Sequence, residues 1–407
     1  TVSGATSGSG NVTLRADNTF SGGITINSGP RVVLGGNSVG APGSVTSGPL
    51  GTGTATLALK GQLELAGYSV SNTLKSTYNA NTASNAPTIF LSSGTVELPG
   101  QIDVSTAASG MAFAPAAGAT IRLTGTLNAN STDTTAHKLK LVAPGTVVEG
   151  FSSINNLTTN KYIIYLDTTA GQWTLAADAG NAIGLGTKAS LYLYGGVFDL
   201  AGNDLGSQSD GSYTYISGGR LLNSATTASK IWSQNTYLKA NSTIHTPNVG
   251  GDIDWTGPSY LYRSTSLFTL TKTGAGDLRM RHPVTNGSNA IDFNIDVQAG
   301  NLWFDVTGTS SFSAIYSLAA GTKLYYNGSA NGSFPGTITG DGAVVFLKTI
   351  GVANSNTTTL SGANTYTGGT TIMNGASITL GVSPVMNGSA IVSSAIGTGP
   401  LTLGDVA

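Results

Sequence analysis

The side chains able to do acid–base, nucleophilic or metal chemistry are few and scattered along these 407 residues. Histidine occurs at three positions, His137, His245 and His282. General acid–base work by imidazole needs a partner within hydrogen-bond reach, and none of the three lies in a motif that supplies one. His137, in TAHKLKL, reads as a solvated strand end. His282 lies in LRMRHPV beside Arg279 and Arg281. That cluster reads as a solvated edge or loop, with an anion or acidic-polysaccharide site as the sharper alternative. Asp252 and Asp254, in GGDIDW, stand two residues apart, so on a strand both point to one side. Carboxylates so placed could bind calcium or share acid–base duty; a solvated polar face is the plainer reading. Asp17, Asp167, Asp199 and Asp341 are scattered near turns. No calcium-loop motif and no phosphate-binding glycine loop occurs. Cysteine is absent, which excludes thiol nucleophiles, zinc–cysteine sites and disulfides. The expectation is a chain that is not an enzyme, with no catalytic residue, cofactor or metal.

Aromatic side chains are better candidates for contact with another molecule. Tyr192 and Tyr194 alternate with leucines in LYLY, so they face outward if Leu191 and Leu193 face a core. Tyr260 and Tyr262 form a second local cluster, Tyr325 and Tyr326 a third, and Trp255 lies near the second. Trp173, Trp232 and Trp303 are spread through the middle of the chain. An outward aromatic stripe can stack on sugar rings or fill a subunit interface. The competing reading is an aromatic ladder within the fold, shielding a sheet.

The elements that would carry these residues are short strands. Charged residues make up 9% of the chain, against roughly 25% in ordinary soluble domains. The net charge of −1 gives no basic field to attract nucleic acid. Ser, Thr, Asn and 57 Gly replace the missing charges. Thr and Val suit a pleated surface, while Gly, Asn and Ser suit turns. No 3.6-residue amphipathic pattern persists, and no apolar run is long enough for a membrane-spanning helix. The chain begins at Thr1 without Met or a signal peptide, which reads as a processed form or an excised segment.

Internal similarity organises the chain. Residues 14–61 align without a gap on residues 360–407, at a constant offset of 346. LRADNTFSGGITINSGPRVVLGG matches LSGANTYTGGTTIMNGASITLGV, and Gly51-Thr52-Gly53 matches Gly397-Thr398-Gly399. Shorter variants lie between, such as LALKGQLELAG (57–67), LSSGTVELPG (91–100), LYLYGGVFDLAG (191–202) and LTKTGAGDL (270–278). Each reads as a short alternating strand, a glycine turn and a second strand. Such a strand cannot bury one face alone. Stacking successive copies buries it and pairs every backbone group with the coil above and below. The prediction is an all-β parallel β-helix (β-solenoid) with about 20–25 residues per coil. Three stretches are expected within one continuous solenoid. Residues 1–69 and 261–407 carry the strong repeats, and 70–260 is divergent, with 205–260 looser and a candidate insertion.

NTFSGGITINSG (18–29), LTKTGAG (270–276) and NTYTGGTTIMNG (364–375) resemble the autotransporter-associated β-strand repeat of bacterial surface proteins. LSGANTYTGG (360–369) is close to the centre of that repeat, and 70–260 fits only its glycine rhythm. The resemblance implies a right-handed parallel β-helix in a secreted or cell-surface protein, and it carries no catalytic residues to transfer. The expected function is an extracellular structural protein whose solenoid subunits stack into a fibre or filament. The alternatives are the passenger region of an adhesin binding glycan or host protein and, less favoured, a polysaccharide-degrading enzyme. Expected partners are further copies of the chain head to tail, a continuation in a longer parent chain, or surface glycans, with no nucleic acid and no membrane span. The contact candidates are Tyr192, Tyr194, Trp255, Tyr260, Tyr262, Tyr325 and Tyr326.

Overall fold

The structure, a computed structural model, describes residues 1–2, 10–15, 17–78, 86–106, 110–129, 137–155, 162–176, 189–205, 213–232, 235–256, 260–263, 267–282, 290–291, 293–306, 310–328, 331–348 and 357–404. The chain is an all-β solenoid of stacked parallel sheets, with no helix among the described residues. It divides into two compact units, Thr1–Asp199 and Leu200–Ala407.

In the first unit, one parallel sheet runs through Asn11–Leu14, Arg31–Leu34, Gln62–Glu64, Thr88–Leu91, Gly110–Pro115, His137–Leu141, Tyr162–Leu166 and Ala189–Leu193. A second holds Thr95–Leu98, Thr120–Leu123, Thr146–Glu149, Gln172–Leu175 and Val197–Asp199. A third holds Ile24–Ile26, Ala55–Leu57, Leu74–Ser76, Ile102–Asp103, Thr126–Asn128 and Ser153–Asn155. The strands stack in register, so alternation along each becomes a column down the sheet. Val96, Ile121, Val147, Trp173 and Phe198 form one buried column.

The second unit uses the same device. One set of strands is Ser229–Trp232, Ile253–Thr256, Leu278–His282, Asn301–Val306, Lys323–Gly328, Ala343–Lys348, Thr370–Ile372 and Leu401–Leu403, all parallel. Another is Ala290–Ile291, Ser310–Phe312, Gly332–Phe334, Thr357–Leu360 and Ser377–Leu380. Its core is aromatic: Phe304, Phe312, Tyr316, Phe334 and Phe346 are buried, and Phe312 stacks on Phe334 at 4.5 Å between centroids. The aromatic-rich stretch 205–260 includes Tyr213–Ser217 paired with Asn235–Ala240, with one register shift between Ile216 and Ser217.

Partner residues in adjacent strands lie 20 apart at Asn11 and Arg31, 25 apart at Lys138 and Ile163, and 31 apart at Ile24 and Ala55. The largest step contains an antiparallel hairpin, Val39–Ala41 with Ser44–Ser47. The second copy carries its counterpart, Val385–Asn387 with Ala390–Ser393, at the same offset of 346. The match extends to single hydrogen bonds. Asn18 bridges Gly48 as Asn364 bridges Ser394. The Thr52 N–H donates to the Phe20 carbonyl, and the Thr398 N–H to the Tyr366 carbonyl.

Buried asparagines fasten corners. The Asn72 amide donates to the carbonyls of Gly51 and Gly53, while its oxygen accepts from Ser38. Asn364 accepts from the Ile338 N–H and donates to the Ala395 carbonyl. Both are fully buried, and each satisfies backbone groups that the turns leave without ladder partners.

Candidate functional site

Aromatic and cationic side chains stack on one another in each unit. In the first unit, the register places Lys140, Tyr165 and Tyr192 in one column. Tyr165 stacks on Tyr192 at 5.8 Å and on Tyr194 at 5.0 Å, and the Lys140 ammonium lies 5.4 Å from the Tyr165 ring centre. Burial pushes the Tyr165 phenol well above its ordinary value, and the hydrogen bond with Tyr194 adds to the rise. Burial also lowers Lys140; Lys138 adds to that effect and Asp167 opposes it. Leu191 and Leu193 are buried while Tyr194 is 44% exposed, so the LYLY alternation faces as the sequence predicts.

In the second unit, Arg279, Trp303 and Tyr325 occupy one register column. The Arg279 guanidinium lies 4.5 Å from the Trp303 ring centre, and Trp303 stacks on Tyr325 at 3.8 Å and 7°. The Trp303 indole N–H donates to Asp277 Oδ2 at 2.8 Å, while Asp277 Oδ1 accepts from both the backbone and side-chain nitrogens of Asn301. Elsewhere in this unit, Tyr215 stacks on Tyr237 at 4.5 Å. In each stack a ring face rests on the ring or cation of the adjacent coil. Trp303 has both faces covered, by Arg279 and Tyr325.

Two of the candidate contact residues face the core. Trp255 is buried beside Ile253 in the register of Leu278 and Met280, and its indole N–H donates to Thr236 Oγ1. In D-I-D-W the tryptophan shares its face with the isoleucine, so strand alternation turns it inward. Tyr325 and Tyr326 are consecutive, so only one can face out; Tyr326 is buried against Phe312, Phe334 and Phe346. Tyr260 and Tyr262 lie on Tyr260–Arg263, with Tyr262 in register with Tyr237, and their side chains lie outside the described residues.

The polar candidates are tied to the scaffold. Asp254 is buried, and both its oxygens accept from Arg281 Nε, at 2.8 and 3.1 Å. That hydrogen bond raises the Arg281 guanidinium further above its ordinary value. Asp252 Oδ1 accepts from the Asp277 N–H at 2.8 Å. His245 Nδ1 lies 2.8 Å from Thr273 Oγ1; burial lowers the imidazole, aided by Arg220 and Lys272. The side chains of His137 and His282 lie outside the described residues. Among the described residues no group of three His, Asp or Glu converges as a metal site.

Lys272, within LTKTGAG, is a residue that spacing does not single out. It is fully buried, and its ammonium donates to the carbonyls of Thr273, Gly274 and Ala299 at 2.9–3.0 Å. Burial pushes it down to about 8, opposed by Asp277 and Asp252. The Tyr165–Tyr192 and Trp303–Tyr325 pairs are also hidden in the sequence, because their members stand one coil apart at unequal spacings. No family model, curated protein or solved structure matches this chain.

Proposed function

We propose that the chain is an extracellular structural protein of a bacterial surface, whose solenoid coils associate edge to edge into fibres. The observation that carries this reading is the shared phase of residues 14–61 and 360–407. Strand for strand, residues 357–403 repeat residues 11–57, and the bridge Asn364–Ser394 repeats Asn18–Gly48. A coil geometry that recurs in one phase is suited to heterologous, non-closing contacts, which build filaments. The resemblance of LSGANTYTGG to the autotransporter-associated repeat supports a surface location. The test is negative-stain electron microscopy and sedimentation velocity of the purified chain over a concentration series. Fibres or a ladder of oligomers are the expected result, and a uniformly monodisperse monomer counts against it.

The second reading is an adhesin segment that binds glycan or a host protein, favoured by the exposure of Tyr194 beside Tyr192 and Tyr165. Loss of binding to a glycan array on Tyr194→Ala would support it. A carbohydrate-cleaving role has less support, since Asp252 and Asp254 are engaged with the Asp277 backbone and Arg281. Polysaccharide cleavage that is lost in Asp254→Ala would reverse that ranking.

A further inference from the structure

Arg279 and Arg281 stand on one strand, Leu278–His282, with most of their hydrogen-bonding capacity unspent. Leu278 and Met280 are buried, so strand alternation turns both arginines to the opposite face. Arg279 is half-buried and Arg281 exposed. Arg281 donates through Nε to Asp254. Its two Nη groups, and all three nitrogens of Arg279, make no hydrogen bond to protein among the described residues. A guanidinium presents five N–H donors in a rigid fork. The fork of Arg279 is thus whole, and the outer edge of Arg281 is open.

Neither side chain is loose. Arg279 lies on the Trp303 ring, which rests on Tyr325, and Arg281 is braced by the buried carboxylate of Asp254. Stacked and braced guanidinium groups have less freedom to lose on binding. Their Cα atoms stand two strand positions apart, about 6.6 Å. Charge on this face is balanced: Lys230, Arg279 and Arg281 are interspersed with Asp254, Asp277 and Asp305. A dense polyanion such as nucleic acid is drawn by an excess positive field, which this balance does not supply. Recognition here is short-range and directional instead, and an arginine fork matches a carboxylate with two parallel bonds. Asp305 is in register with Arg281, and its Oδ1 accepts from Asn327 Nδ2. Its Oδ2 has no hydrogen-bond partner among the described residues and can accept from a hydroxyl.

We propose that this face binds a uronic-acid polysaccharide. A sugar carboxylate pairs with the open donors of Arg279 and Arg281, and a hydroxyl of the adjoining sugar donates to Asp305. The site belongs to the second unit and uses neither Tyr194 nor assembly, so it stands independently of both readings above.

The test is interferometry of the purified chain on immobilised hyaluronate and polygalacturonate at low salt, with neutral dextran and duplex DNA as comparators. The expected result is binding to a uronic polymer and none to dextran. Arg279→Gln should weaken that binding about tenfold. Arg279→Lys, which keeps the charge and loses the fork, should weaken it as well. Arg279 makes no hydrogen bond to protein among the described residues, so both variants should keep the wild-type circular dichroism spectrum. Arg281→Gln should also weaken binding, but it strips the buried Asp254 of its partner, so the Arg279 variants decide if that chain fails to fold. Three results overturn the proposal: no binding to either uronic polymer, binding undiminished in the Arg279 variants, or DNA bound as tightly as the glycans.

Discussion

Lys272 shows how one side chain can fasten a turn. Its ammonium supplies donors to three carbonyls, two on its own turn and one, that of Ala299, on the following coil. Lys272→Met should cost about 3 kcal/mol in denaturant unfolding, because buried carbonyls lose their donor and regain no water. Its titration has a definite sign. Burial lowers the native ammonium to about 8 from the ordinary 10.5, so the folded chain releases its proton first as pH rises. Between those values the unfolded chain binds the extra proton, and stability contributed at this site increases with pH. The gap in melting temperature between wild type and Lys272→Met should therefore widen from pH 8 to pH 10.5. Trp303 is the aromatic counterpart of this fastening. Trp303→Ala removes the stack and the bond to Asp277 and should cost about 2 kcal/mol, while Trp303→Phe should cost about 1 kcal/mol; urea titration separates the two. Neither role is legible in the sequence. LTKTGAG marks a turn, but three converging carbonyls appear only when the next coil is in place.

At the scale of the strand and its turns, most of the design is legible. Alternation in LYLY places Leu191 and Leu193 inside and the tyrosines outside, and the same rule applied to IDW puts Trp255 inside. The difficulty lies in spacing. Steps of 19 to 31 residues between paired positions mean that no fixed period points from Tyr165 to Tyr192 or from Trp303 to Tyr325. Contact candidates chosen as local clusters thus mixed inward with outward residues. Turns obey their own rule. Gly300 has φ of +68°, and a Cβ there would run into the Gly276 carbonyl of the preceding coil. Gly94 has φ of +78° with open space around the same position. Gly94→Ala should then cost about 1 kcal/mol, from backbone conformation alone. Gly300→Ala should cost more than about 2 kcal/mol, since conformation and close approach act together. Paired thermal melts of the two variants check this difference.

For the whole molecule, the composition and the 346-residue offset made the solenoid legible, while the shared bridges Asn18–Gly48 and Asn364–Ser394 give the repeat its physical content. With 9% charged residues, cohesion rests on backbone ladders and buried columns rather than ion pairs. Melting temperature should accordingly change little between low and high sodium chloride, in contrast to a protein held by surface electrostatics. The repeat also sets a quantum of growth. Because residues 14–61 and 360–407 share one phase, a second copy of residues 14–359 inserted after Thr359 would lay its Arg31–Leu34 on the strand that now carries Ser377–Leu380, in the same register. Unequal crossover between the two copies at the gene level makes that same joint, so the chain can lengthen by one whole increment with each duplicated strand meeting a familiar neighbour.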